Sequence, residues 1–205
     1  MNKTAIRIGF IGLNPDSHWA ATAHLPAIKA LGDRFQIVGV ANSSPESSQR
    51  TAKALNLPIA FESPQALAAS DEIDLVVVTV KVPYHFELVT AALVAGKHVY
   101  CEWPLGNGLE EARQLAELAE AKGVVAVTGT QARAAVEVEH VAKLIREGYV
   151  GKVLSTSLIG SGGNWGSAAI AEHAYLFDSK NGASMQVIPM AHTLAAVQDL
   201  SLIHI

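Results

Sequence analysis

Where the first apolar run gives out, the chain reads Gly9-Phe10-Ile11-Gly12-Leu13-Asn14. Glycine at a strand–helix turn lets the backbone bend tightly and lets a phosphate approach, while N–H groups opening the next helix face negative charge. The usual dinucleotide pattern continues with glycine where this chain has Asn14 and Ser17, with Pro15-Asp16 between them. Asparagine tolerates a positive φ, so a modified turn through Gly12, Leu13 and Asn14 is expected. A tight turn that holds no ligand is the competing reading. The second apolar run ends Val40-Ala41-Asn42-Ser43-Ser44, without the carboxylate that bonds a ribose 2′-hydroxyl in NAD-selective sites. The amide and hydroxyls of Asn42, Ser43 and Ser44 can accept a 2′-phosphate without charge repulsion, and Arg50 lies two helical turns on. NADP or dual use is therefore slightly favoured over NAD alone. Ser43 and Ser44 also suit a helix cap, and the two roles are compatible.

These residues need a scaffold of alternating strands and helices. Residues 5–11 and 36–40 are short apolar runs, and residues 74–80 (DLVVVTV) are apolar almost throughout, as a parallel strand buried on both faces should be. Between them a helical stretch runs to Leu31 with Gly32 as its stop. Ser44-Pro45 and Ser63-Pro64 each open a helix with a cap and a first-turn proline. A helix is expected over 84–95 with Gly96 as its stop, then a strand at 98–101. Asn107 and Glu110 fit a capping box for a helix that ends at Gly123. A strand at 124–128 completes the series. This alternation predicts an α/β fold, a Rossmann-type doubly wound parallel sheet, over residues 1–133.

From Gln131 the rhythm changes. Residues 135–147 have helical spacing, with Val138, Val141, Leu144 and Ile145 on one face, and residues 152–160 read as a strand. Ser161-Gly162-Gly163-Asn164-Trp165-Gly166 reads as a loop beside a ligand, in which Trp165 either stacks on that ligand or packs the loop. The domain boundary is placed near Ala132–Ala135, and residues 134–205 belong to a second domain.

Composition limits the function. Half of the 205 residues are apolar, 17% are charged and the net charge is −4, so there is no basic footprint for nucleic acid. No apolar run has the length of a membrane span, and a cytoplasmic location is expected. The single cysteine, Cys101, excludes an intrachain disulfide. It reads as a small buried residue, with no histidine partner evident from spacing. Glu137, Glu139 and His140 lack metal-ligand spacing with any second cluster, and no metal site is expected.

The segment Gly96-Lys97-His98-Val99-Tyr100-Cys101-Glu102-Trp103-Pro104 resembles the Gfo/Idh/MocA oxidoreductase family, in which a G-K-H-V-x-x-E-K-P motif stands there. Thr79-Val80-Lys81-Val82-Pro83 with His85, His24-Leu25-Pro26, and Gln131-Ala132-Arg133 agree with it. Gly-Leu-Asn in the first turn, Glu-Trp in the later motif and Gly163-Asn164-Trp165 are most similar to the branch containing the yeast galactose-regulon repressor. The resemblance implies hydride transfer between a nicotinamide and a sugar-like or polyol substrate, a homo-oligomer in the full-length protein, and residues 134–205 as the incomplete start of an α+β domain with an open sheet, for substrate and oligomerisation. It implies cofactor contacts from Gly12, Leu13, Asn14, Asn42, Ser43, Ser44, Thr79, Val80, Lys81, His85, Glu102, Trp103 and Gln131. Glu102 would bond the cofactor ribose or orient a neighbouring backbone group. The Trp103–Pro104 bond has the option of being cis.

Departures from the family weigh on the same question. The motif lysine is Trp103, which has an N–H donor but exchanges no proton at neutral pH. His192 matches the family's catalytic histidine, but Ile188 and Ala195 stand where carboxylates are common. His192 is therefore either a general base or a packed core residue. A dinucleotide-sensing regulator without catalysis, resembling the yeast repressor, is the alternative function. The closing Leu200-Ser201-Leu202-Ile203-His204-Ile205 is also the frame translation of a transposon-end adapter used in sequencing libraries. The expectation from this is a C-terminally truncated reading frame, with no functional weight on His204.

Overall fold

A computed structural model describes residues 5–16, 19–161, 167–198 and 200. The chain divides into two compact units, residues 1–128 and 129–205. Six strands form one sheet: β1 (Ile6–Ile11), β2 (Phe35–Ala41), β3 (Ile59–Ala60), β4 (Leu75–Val78), β5 (His98–Glu102) and β6 (Ala126–Gly129). Their order is β3-β2-β1-β4-β5-β6, and the β1–β2, β1–β4, β2–β3 and β4–β5 pairs are all parallel. The chain builds outward from β1 to β3, then returns to add β4 on the other side of β1. That reversal opens a crevice outside the carboxyl ends of β1 and β4, the place where doubly wound sheets bind ligands.

Parallel strands need crossover helices, and these cover both faces. One face packs α3 (Pro64–Ala69), α4 (His85–Val94) and α5 (Leu109–Lys122) on Ile11, Val76, Val78, Val99 and Cys101. The other packs α1 (Leu25–Ala30) and α2 (Pro45–Leu55) on Ile8, Phe10, Val40, Val77 and Tyr100. Successive strand residues thus enter different cores, Val76 and Val78 one and Val77 the other. This two-sided burial is why 74–80 reads as unbroken apolar sequence.

Local signals set the helix starts. Ser44 Oγ accepts from the Ser47 N–H (3.2 Å) and Ser63 Oγ from the Ala66 N–H (3.1 Å), each just before a proline. The capping box at Asn107 is corrected. Gly108, at φ 106°, is the N-cap of α5, which delays the helix by one residue. Glu111, one residue beyond the expected Glu110, therefore reaches back to accept from the Asn107 N–H at 2.6 Å.

At the amino end of the sheet, Arg7 grips the residue before β4. Its Nε and Nη2 donate to the two Asp74 carboxylate oxygens at 3.0 and 2.7 Å, and its backbone N–H donates to Oδ2 at 2.9 Å. The Arg7 side chain is the leading cause that holds the Asp74 carboxyl below its ordinary range.

In the second unit a 3-10 turn (Gln131–Ala134) leads into α6 (Val136–Arg146), and a π-helical turn (Gln186–Met190) leads into α7 (Ala191–Gln198). The inner face of α6 is corrected: Ala142 is buried, Val138, Leu144 and Ile145 are half-buried, and Val141 is exposed. The strand expected at 152–160 is absent. A strand requires a neighbouring ladder, and no described residue pairs with this segment, which leaves Leu154 and Ile159 at 87% and 98% exposure. No helix of the described residues is long and apolar enough to cross a membrane.

The Arg7–Asp74 clamp yields a signed prediction. A carboxyl whose folded pKa lies below its unfolded value stabilises fully above the unfolded value, and that contribution is lost as pH falls through the folded one. Asp74→Asn should cost about 1 kcal/mol at about pH 7, a modest figure because the pair is partly exposed. The variant should also lose less stability than the parent between about pH 5 and pH 3, as chemical denaturation at both ends of that range would measure.

Candidate functional site

The turn after β1 is built on Gly12. Its φ is +93°, a conformation that favours glycine. A Cβ there would overlap Val80 Cγ1 and meet the Thr79 carbonyl oxygen at 3.0 Å. The turn is thus pressed against the carboxyl end of β4. Thr79 secures it, donating from Oγ1 to the carbonyls of Gly12 (3.1 Å) and Ile11 (3.3 Å), while the Gly12 N–H donates to Ala41. The expected role of Asn14 is corrected. It does not take a positive φ; instead its Oδ1 accepts from the Asp16 N–H at 3.0 Å, closing an Asx turn. The first helix is also later than expected, with Trp19 capping the π-helical turn Ala20–His24 that runs into α1. Its opening N–H groups therefore do not follow Gly12 directly. Leu13 is 1% exposed in the core, so only its backbone is available at the turn.

At the end of β2, Asn42 faces inward. Its Nδ2 donates to the Leu13 carbonyl (2.9 Å) and to Thr51 Oγ1 (3.0 Å), and its backbone N–H donates to Ser48 Oγ (2.9 Å). The amide nitrogen expected to serve a ligand instead ties the glycine turn to α2. Ser44 caps α2, whereas Ser43 and Arg50 are exposed. Glu46, in the first turn of α2, has its carboxyl lowered by its own backbone N–H, by the Ser44 hydroxyl and by Arg50. The buried hydroxyls of Ser48 and Thr51 have no periodic signature that would have revealed them.

Beyond β4, Lys81 is exposed and Val80 sits over Gly12. His85 is corrected from a ligand contact to an internal staple: it is 1% exposed. Its Nε2 lies 2.9 Å from the Val80 carbonyl oxygen and its Nδ1 lies 2.6 Å from that of Pro104. One ring thereby joins the loops that follow β4 and β5. Cys101 does have a histidine neighbour, its Sγ lying 3.4 Å from His85 Nδ1. Burial, with the Glu102 charge beside it, pushes the thiol far up and keeps it protonated, so no nucleophile results.

At the end of β5, the Glu102 carboxylate meets a residue that spacing does not predict. His24 Nε2 lies 2.9 Å from Glu102 Oε1, across 78 positions of sequence. Trp103 follows, half-buried, with a cis bond to Pro104. The ends of β1, β2, β4 and β5 thus bring Gly12, Ser43, Thr79, Val80, Lys81, Glu102 and Trp103 to one edge of the sheet. Gln131 is exposed and His192 half-buried, both in the second unit. The loop residues 162–166, Trp165 among them, lie outside the described residues, as do Ser17 and the closing residues 201–205. Among the described residues no three His, Cys, Asp or Glu side chains are grouped to hold a metal.

The family model for the Gfo/Idh/MocA oxidoreductases, with NAD-binding Rossmann fold, matches residues 6–130, and that for the Gal80p C-terminal domain matches residues 137–201. The chain is 30% identical over 206 residues to the galactose/lactose metabolism regulatory protein GAL80 of Saccharomyces cerevisiae, covering 96% of this chain and 47% of that protein. It is 36% identical over 197 residues to the dehydrogenase aclE of Aspergillus oryzae, covering 94% and 54%. The crystal structure of a super-repressor mutant of Saccharomyces cerevisiae Gal80p is similar with a TM-score of 0.90 at 30% identity, covering 96% of this chain and 53% of that one. The chain spans about half the length of the curated relatives it matches.

Two substitutions test the construction of this edge. Gly12→Ala forces a side chain into the positive-φ region against Val80 and should cost roughly 1–3 kcal/mol from the backbone alone, read by chemical denaturation. His85→Leu removes the ring N–H that the Pro104 or the Val80 carbonyl accepts, one tautomer serving one of them. It should cost roughly 1–3 kcal/mol for the carbonyl group stranded, read as a fall in thermal midpoint.

Proposed function

The chain belongs to the Gfo/Idh/MocA oxidoreductase family, and on that premise we propose that it binds a nicotinamide dinucleotide to move hydride to or from a hydroxyl-bearing carbon of a sugar-like or polyol substrate. The observation that carries this reading is the Gly12 turn. Its positive φ and missing side chain let the half-buried turn press against Thr79 and Val80 at the carboxyl ends of β1 and β4, where a doubly wound sheet receives a pyrophosphate. Bound there, the cofactor supplies the hydride chemistry. The chain's own residues bind and orient: the turn backbone meets the phosphates, Ser43 meets the adenosine ribose, and Glu102 offers a carboxylate oxygen to a ribose hydroxyl. In this reading His192 is the general base. The 36% identity to a dehydrogenase supports it.

Cofactor choice follows from the end of β2. No strand-end carboxylate is present, but Glu46 and Arg50 place charges of both signs close by on α2. The proposed protein therefore uses NADP at least as readily as NAD.

A second reading is favoured by a specific set of residues. Trp103 stands at the lysine position, Ile188 and Ala195 stand at carboxylate positions, and residues 137–201 match a domain of a regulatory protein. A dinucleotide-sensing regulator needs binding and no turnover.

Fluorescence titration of NAD and NADP, followed by a screen of sugars and polyols for cofactor reduction, separates these readings. Binding with turnover supports the oxidoreductase, with His192→Asn expected to abolish turnover while leaving affinity within about twofold. Binding without turnover across the panel supports the regulator, and no binding overturns both. Affinities for the two cofactors should agree within about tenfold, a difference of about 1.4 kcal/mol. A preference for NAD of a hundredfold or more would overturn the cofactor assignment.

A further inference from the structure

Glu102 ends β5 on the crevice edge and, among the described residues, has one side-chain partner. Oε1 is 2.9 Å from His24 Nε2, and Oε2 accepts no hydrogen bond from any described residue. The side chains of the pair are only 16% and 24% exposed, so the carboxylate is partly desolvated and requires a donor. His24 is itself fixed by packing. Its ring meets Tyr100 edge-on, with centroids 5.4 Å apart at 78°, and stands 6.4 Å from Phe10. It closes the π-helical turn Ala20–His24, immediately before Leu25-Pro26 opens α1. Two strands and one helix entry thus fix an imidazole whose visible polar task is to hold one oxygen of one carboxylate.

We propose that His24 is a positioning residue of the dinucleotide site, donating its Nε2–H to Glu102 Oε1 so that Oε2 is oriented to accept a hydroxyl of a bound ribose. The proposal rests on the dinucleotide reading above. An acceptor at Nε2 selects the tautomer that carries its hydrogen there, so the ring nitrogen is the donor of this contact. A carboxylate anchored at one oxygen loses less torsional freedom when the other takes a ligand, which is the general route by which preorganisation raises affinity. His24 acts through Glu102 and makes no contact with the ligand.

The test uses NAD and NADP titrations on the intact chain and its variants, with thermal unfolding as the folding control. His24→Leu removes the donor and should weaken binding about tenfold, the scale of one hydrogen bond to a charged group. His24→Gln places an amide N–H near the former Nε2 and should restore affinity to within about twofold of the parent. His24→Asn, a polar change whose amide stops short of Oε1, should behave like the leucine variant and serves in its place if that variant does not fold. In a Glu102→Gln background, substituting His24 should add little. Unchanged affinity in the variants lacking the donor would overturn the proposal, as would a glutamine variant as weak as they are, or losses that simply add to that of Glu102→Gln. If the unmodified chain binds neither cofactor, the dinucleotide reading falls and this proposal falls with it; binding by the parent with any of the three contrary results removes the proposal alone.

Discussion

The structure hangs on the side-by-side placement of β1 and β4, strands that are far apart in sequence and buried on both faces. Ile8 to Ile11 lie in parallel register with Leu75 to Val78, and their side chains enter opposite cores in turn. At the amino end the Arg7–Asp74 clamp fixes the register. At the carboxyl end Gly12 lies against Thr79 and Val80 so closely that no side chain fits. The crevice exists because β2 and β3 are laid down on one side of β1 before β4 is laid on the other.

Around that crevice, polar side chains mostly hold backbone. Thr79 bonds the glycine turn, Asn42 joins the turn to α2, and His85 joins the loops after β4 and β5. Asn42, expected as a ligand contact from its place at a strand end, and His85, expected as one from the family resemblance, prove to be internal ties. Both sit at strand or helix ends where a side chain can turn either way, and spacing alone does not specify which. Burial decides, because an inward amide or imidazole finds carbonyl acceptors there that bulk water would otherwise supply.

The chemistry left at the edge is sparse. Cys101 is locked as a thiol, and Trp103 stands where the family resemblance leads one to expect lysine. The His24–Glu102 contact is then the notable side-chain pairing at the end of β5. The dinucleotide-binding role proposed for it would suit a dehydrogenase and a regulator equally, so it does not choose between them. Beside Trp103, the residues that bear on that choice are in the second unit, which carries His192, Ile188 and the Gal80p-like match.

By itself the sequence determined the strand–helix alternation of the first unit apart from the two-residue β3, which is too short to leave a pattern, because burial on both faces writes an unbroken apolar run at 74–80 and Ser-Pro pairs mark two helix starts. It also determined that glycine is needed at position 12 and that acid is missing after β2. Periodicity could not place Glu111 ahead of Glu110 as the partner of Asn107, since one positive-φ glycine shifted the helix by a residue. The predicted strand at 152–160 failed for a related reason: a strand needs a partner, and partners are a property of the assembled sheet. Only the tertiary structure decided that His24 meets Glu102, Cys101 meets His85 and Asn42 turns inward. Each of these contacts joins residues brought together by the winding of a parallel sheet, a juxtaposition that no local spacing records.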